Sequence, residues 1–86
     1  MRPGGSKVYG TKIIIDIEII NFYNLIREII SNAKENNLDI NIKWTYPTGI
    51  YNATSIEIKG DYKDRTSFIS KLEKQYKIKD RKDLNE

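Results

Sequence analysis

Three acidic residues, Asp16, Glu18 and Glu57, come nearest to a catalytic set in this chain. Paired-carboxylate chemistry needs two carboxyls in unlike environments, one of them desolvated enough to keep its proton. Here the three alternate with isoleucines in strand-like runs that also carry Lys12, Lys43 and Lys59. That pattern predicts solvated cross-strand charge pairing, not acid–base work. The serines have no histidine to activate them, because the chain contains none. Ser70 and Lys71 are adjacent, and neighbours on a helix point about 100° apart. With neither His nor Cys, thiol chemistry and disulfides are excluded, and zinc or haem ligation loses its usual donors. The reading is a non-catalytic chain with no catalytic residues, no cofactor and no metal site.

The elements around these residues are well marked. Thr11–Ile19 alternates, with Ile13, Ile15, Ile17 and Ile19 on one side and Lys12, Ile14, Asp16 and Glu18 on the other, which predicts a half-buried strand. Phe22, Ile26, Ile29, Ile30 and Ala33 then fall at helical spacing, with Asn21 as the candidate N-cap and Asn36 or Asn37 as the left-handed exit. Leu38–Tyr46 alternates again, placing Leu38, Ile40, Ile42, Trp44 and Tyr46 together on one face. Pro47-Thr48-Gly49 is turn chemistry, and Asn52–Lys59 returns as a strand, giving a hairpin with a loop of about five residues or more. Gly60 breaks that strand and Asp61 caps a second helix, whose inward stripe reads Tyr62, Phe68, Ile69, Leu72 and Tyr76. The tail is weakly patterned and allows a short last strand.

The chain is one small domain of 86 residues, with 38% hydrophobic and 31% charged side chains. A chain of this length buries roughly 60–65% of its unfolded surface. Residues 1–6 read as a flexible leader or expression scar, and 7–86 as a single α+β domain. Each element has one apolar side, so both helices should cover one face of the sheet. The expected fold is α+β, a ferredoxin-like two-layer sandwich in the order β-α-β-β-α with a possible short last strand.

Single-stranded RNA binders of that architecture stack bases on rings at the open sheet face. The face expected here shows Lys12, Ile14, Asp16, Glu18, Asn41, Lys43, Thr45, Ser55, Glu57 and Lys59, with no ring among them. Net charge is +3, from 15 basic and 12 acidic residues, interleaved along the chain. Nucleic acid is therefore the weaker reading: a nucleic-acid- or ribosome-associated domain using the Lys-rich second helix and C-terminal tail. Tyr46, Ile50 and Tyr51 gather round the Pro-Thr-Gly turn and are the candidate partner contact, against the plainer reading that they close the end of the core.

One resemblance adds to this. Ile56, Ile58, Gly60, Tyr62, Phe68, Ile69, Leu72 and Glu73 follow the pattern of a strand ending in Gly-x-Tyr and a helix with Phe-Ile and Leu-Glu. Over Leu25–Ile78 the chain resembles the globular extracytoplasmic domain of the PilO-like type IV pilus inner-membrane alignment proteins and, loosely, related secretion-platform proteins. The resemblance implies a structural scaffold that forms a homodimer, or a heterodimer with another pilus or secretion platform protein. It implies a place at the extracytoplasmic face of the cell membrane, with membrane contact only through segments absent from this chain, and no small-molecule substrate. The matched residues would be structural: Gly60 frees the turn, and Tyr62, Phe68 and Leu72 dock the helix.

Overall fold

The computed structural model describes residues 8–85; the leader assigned to residues 1–6 lies outside them. Strand β1 (Val8–Glu18) passes through a 3-10 turn (Ile19–Asn21) into helix α1 (Phe22–Glu35). Strands β2 (Asp39–Thr48) and β3 (Tyr51–Lys59) follow as a hairpin, then helix α2 (Tyr62–Glu73) and strand β4 (Ile78–Asn85). The weakly patterned tail is thus a full edge strand. The sheet is antiparallel throughout, in the order β2-β3-β1-β4.

The period-two isoleucines do the work expected of them. Ile13, Ile15 and Ile17 of β1 and Ile56 and Ile58 of β3 are wholly buried. Ile29 and Ala33 of α1, together with Phe68, Ile69 and Leu72 of α2, join them in one continuous core. Both helices therefore meet the same isoleucine face. β1 carries the densest part because it pairs with β3 on one side and β4 on the other.

The chain leaves α1 through Asn37 at φ 60°, the left-handed conformation for which Asn is suited. Asn21 and Asp61 stand at the helix starts, and neither side chain makes a capping hydrogen bond. Three expectations need correction. The β2–β3 loop has two residues, not about five: Thr48 pairs with Tyr51 across Gly49 and Ile50. Gly49, with φ +65°, takes the first central position, where only glycine is comfortable. Pro47 belongs to β2, which it can do because β2 is an edge strand and its nitrogen need not donate. Tyr62 is 71% exposed and does not join the inward stripe of α2. Arg65 takes that buried place instead.

Gly60 has φ +149°, and a Cβ there would lie 2.5 Å from Leu38 Cδ2. Gly60→Ala should cost about 2–3 kcal/mol, from strain and overpacking together. Gly49→Ala meets no atom within 4 Å and should cost only about 1–2 kcal/mol, the left-handed penalty alone. Urea midpoints of the two variants measure the difference, and equal losses would contradict the Leu38 contact.

Candidate functional site

The alternation of β2 breaks in the middle. Ile42 pairs with Ile56, yet the next paired residue, Trp44, faces Ser55, so Lys43 is the extra residue of a β-bulge. A one-residue shift sends every later side chain to the other face. Trp44 and Tyr46 therefore lie on the open side of the sheet, and Thr45, opposite the buried Thr54, takes the helix-facing phase. This corrects the expectation that both rings share the face of Ile40 and Ile42, and with it the ring-free open surface.

The register lays the open face out in rows. Leu84, Gly10, Lys59 and Asp39 form the first; Lys82, Lys12, Glu57 and Asn41 the second; Asp80, Ile14, Ser55 and Trp44 the third. Asp16, Ala53 and Tyr46 follow, and Glu18, Tyr51 and Thr48 close the series at the hairpin end. Lys79, a bulge residue of β4, reaches Asp16 at 3.7 Å, the sole ion pair on this face among the described residues. Ile14, Trp44, Tyr46 and Ala53, with Lys79 and Asp80 at the margin, line an open trough of about 690 Å³. Ser55, between Ile14 and Trp44 in its row, is fully buried, and its Oγ has no hydrogen-bond partner.

Tyr46, Ile50 and Tyr51 are 61%, 68% and 40% exposed. Tyr46 and Tyr51 share the open face, while Ile50 occupies the turn, where its carbonyl accepts a hydrogen bond from the Ile19 amide at 2.9 Å. That bond sets the hairpin tip beside the 3-10 turn, which presents Ile19 and Ile20, with Tyr23 just beyond on α1. Much of the large apolar exposure among the described residues thus runs from Trp44 along the hairpin to this end, while Val8, Tyr9 and Tyr62 gather elsewhere, beside Gly60. The sequence did not single out Ile20 or Tyr23 as surface groups, and it placed Trp44 on the face of Ile40 and Ile42.

Elsewhere the surface offers little reactive chemistry. Asp16, Glu18 and Glu57 occupy separate rows of the open face. No group of three His, Cys, Asp or Glu converges on a metal-sized point among the described residues. A cleft of about 290 Å³ between α1 and the end of α2 is lined by Glu28, Lys71 and Tyr76 among others. Burial first, and then the Glu28 carboxylate, push the Tyr76 phenol above its ordinary value, so it is a neutral hydroxyl near pH 7. Arg65 is 5% exposed, with Nε donating to Thr11 Oγ1 at 3.1 Å and Nη1 donating to the Gly60 carbonyl. Among the described residues no carboxylate lies within ion-pair distance of it. Its guanidinium is held by backbone and hydroxyl acceptors and by the Tyr62 ring, 5.9 Å away. This clips α2 to β1.

No protein family, curated protein or solved structure matches the chain. No described helix is long and apolar enough to cross a membrane.

Trp44 is the only tryptophan and is 43% exposed. Acrylamide should quench its emission readily in the folded chain, with little further gain on unfolding in urea. A quencher-protected, blue-shifted emission would return the ring to the helix side. Arg65→Ala should destabilise the fold by about 2–4 kcal/mol, since it removes two hydrogen bonds of a buried cation and opens a cavity. Thr11→Val should cost about 1 kcal/mol by losing one of them. Thermal melts of both variants check the order.

Proposed function

We propose that this chain is a non-catalytic protein–protein interaction module, a scaffold domain of a cell-envelope assembly platform of the pilus or secretion type. The observation that carries the reading is the exposed aromatic and aliphatic run formed by Trp44, Tyr46, Ile50 and Tyr51 on a rigid two-residue hairpin. Rings on a preformed support lose little entropy on contact, and aromatic residues are enriched at interface cores. The element order β-α-β-β-α-β and the strand order β2-β3-β1-β4 support reading the sandwich as ferredoxin-like, the architecture that the resemblance implies. On that reading the partner is a second copy or a sister platform protein. The domain works at the extracytoplasmic face, and anchorage comes from segments outside these 86 residues.

Trp44 and Tyr46 of β2, with Tyr51 on the neighbouring β3, favour a second reading, base stacking by a single-stranded nucleic acid. Electrostatics decide against it. The paired rows of the open face, with Lys79, hold Lys12, Lys59, Lys79 and Lys82 against Asp16, Glu18, Asp39, Glu57 and Asp80. A phosphate chain would find no net positive potential there and release few counterions.

A photo-reactive phenylalanine analogue at position 50 of the protein in its native cell tests the proposal. Cross-links to the protein itself or to an envelope-platform component are the expected result. Cross-links to nucleic acid, or no protein adduct beyond background, would overturn it.

A further inference from the structure

We infer that the open sheet face is the dimer interface of the chain, two copies stacking face to face about a two-fold axis that runs along the strands midway between β1 and β3. The inference rests on the protein-interaction reading above and names the partner and the surface.

An edge-to-edge pairing is blocked at both sides of the sheet. β4 carries five consecutive charges, Lys79 to Asp83, and a bulge at Lys79. β2 carries the Lys43 bulge and Pro47, which interrupt any continuous ladder. Both are standard means of keeping strand edges from pairing. The face has no such protection. Four strands about 4.8 Å apart and nine residues of about 3.4 Å each give a footprint of roughly 600 Å² per copy. That is somewhat below the ~800 Å² per partner of a standard interface, in the size range of weak and transient contacts.

The rows choose the axis. Rotation about the strand direction keeps each row in place and exchanges β1 with β3 and β4 with β2. Lys12 of one copy then lies over Glu57 of the other, and the reverse, because Lys12 and Glu57 occupy one row. Asp80 lies over Trp44, and Ile14 over Ser55. Lys79, beside Asp16, comes over Tyr46, whose ring suits a cation. Lys82 lies over Asn41, and Glu18 over Tyr51. No two like charges meet. An axis across the strands would instead set Asp80 on Asp80 and Lys82 on Lys79. Aligned sheets pack with their strands about 30° apart, which leaves the rows beside the axis in register. A face that carries four cations and five anions, with Lys12 and Glu57 exchanged across the axis and rings at its side, is thus complementary to itself and attracts no polyanion.

Sedimentation velocity of the whole chain, from about 10 μM to about 1 mM, tests this with two single variants. Wild type should shift from monomer to dimer across the range. K12E and E57K should each remain monomeric over the same range, with circular dichroism unchanged, at least tenfold weaker than wild type. Mixed in equal amounts they should form a heterodimer, since the carboxylate introduced at 12 then faces the amine introduced at 57, and the native Glu57 faces the native Lys12. Within each single copy the two positions carry like charge, so a purely intramolecular effect cannot be rescued by mixing. A wild-type chain monomeric at 1 mM would overturn the inference, as would a dimer that neither variant weakens or a mixture that stays monomeric. If the face dimer fails while position 50 still cross-links to an envelope-platform protein, the interaction reading stands alone. If position 50 cross-links only to nucleic acid, both fall.

Discussion

The buried isoleucines of β1 and β3 are the constraint on which this small fold depends. Ile13, Ile15, Ile17, Ile56 and Ile58 expose no surface. Their branched side chains fix a flat apolar layer on which both helices rest. The register between these two strands runs without a break from Gly10 opposite Lys59 to Glu18 opposite Tyr51. Every irregularity lies outside the ladder that these two strands share. Lys43 and Lys79 bulge in the two edge strands, and Tyr9 bulges near the start of β1 where it meets β4. A centre this regular can afford irregular margins, and the margins are where the surface acquires character.

That division also separates packing from contact. Among the described residues, the helix side holds one buried cation, Arg65, held by Thr11 and Gly60, with the buried Thr54 and an apolar core around it. The open side combines rings, aliphatic side chains and charges of both signs, and its carboxylates stand in separate rows; Asp16, whose Oδ1 is buried, lies 3.7 Å from Lys79 Nζ. A surface of that composition suits recognition of another folded surface. On such surfaces charges of both signs set orientation, and aromatic residues are enriched at the core of the contact.

Much of the architecture was legible in the residues, for physical reasons. Period-two isoleucines can bury one face only as strands, and the spacing from Phe22 to Ala33 can bury one face only as a helix. Gly60 and Asn37 mark backbone conformations that few other residues adopt, and both positions have positive φ. The bulge was hidden because Ile40, Ile42, Trp44 and Tyr46 alternate perfectly along β2. Only the pairing reveals it: counting back from Thr48 opposite Tyr51 puts Trp44 opposite Ser55, and two more steps would set Ile42 against Glu57. Ile40 and Ile42 belong beside the buried Ile56 and Ile58, and an inserted residue resolves the conflict. The five-residue loop failed for a related reason, since Pro47 read as a turn residue although an edge strand accommodates it. Arg65 left no signal, because its partners are a hydroxyl and a carbonyl that the linear sequence sets far apart or hides among turn atoms.

The extra residue in β2 lets one alternating run of apolar side chains serve two faces, Ile40 and Ile42 beneath the helices and Trp44 and Tyr46 on the open side. Loss of the single codon for Lys43 would straighten the strand and leave Ile42 opposite Ile56 and Trp44 opposite Ser55, so the rings would keep their side. Turning Trp44 and Tyr46 under the helices requires instead that the run pair without a break, which slides the hairpin tip by one residue against β3. A relative lacking Lys43 would thus display the same surface on a more regular edge strand, whereas a one-residue slip of the hairpin would erase it.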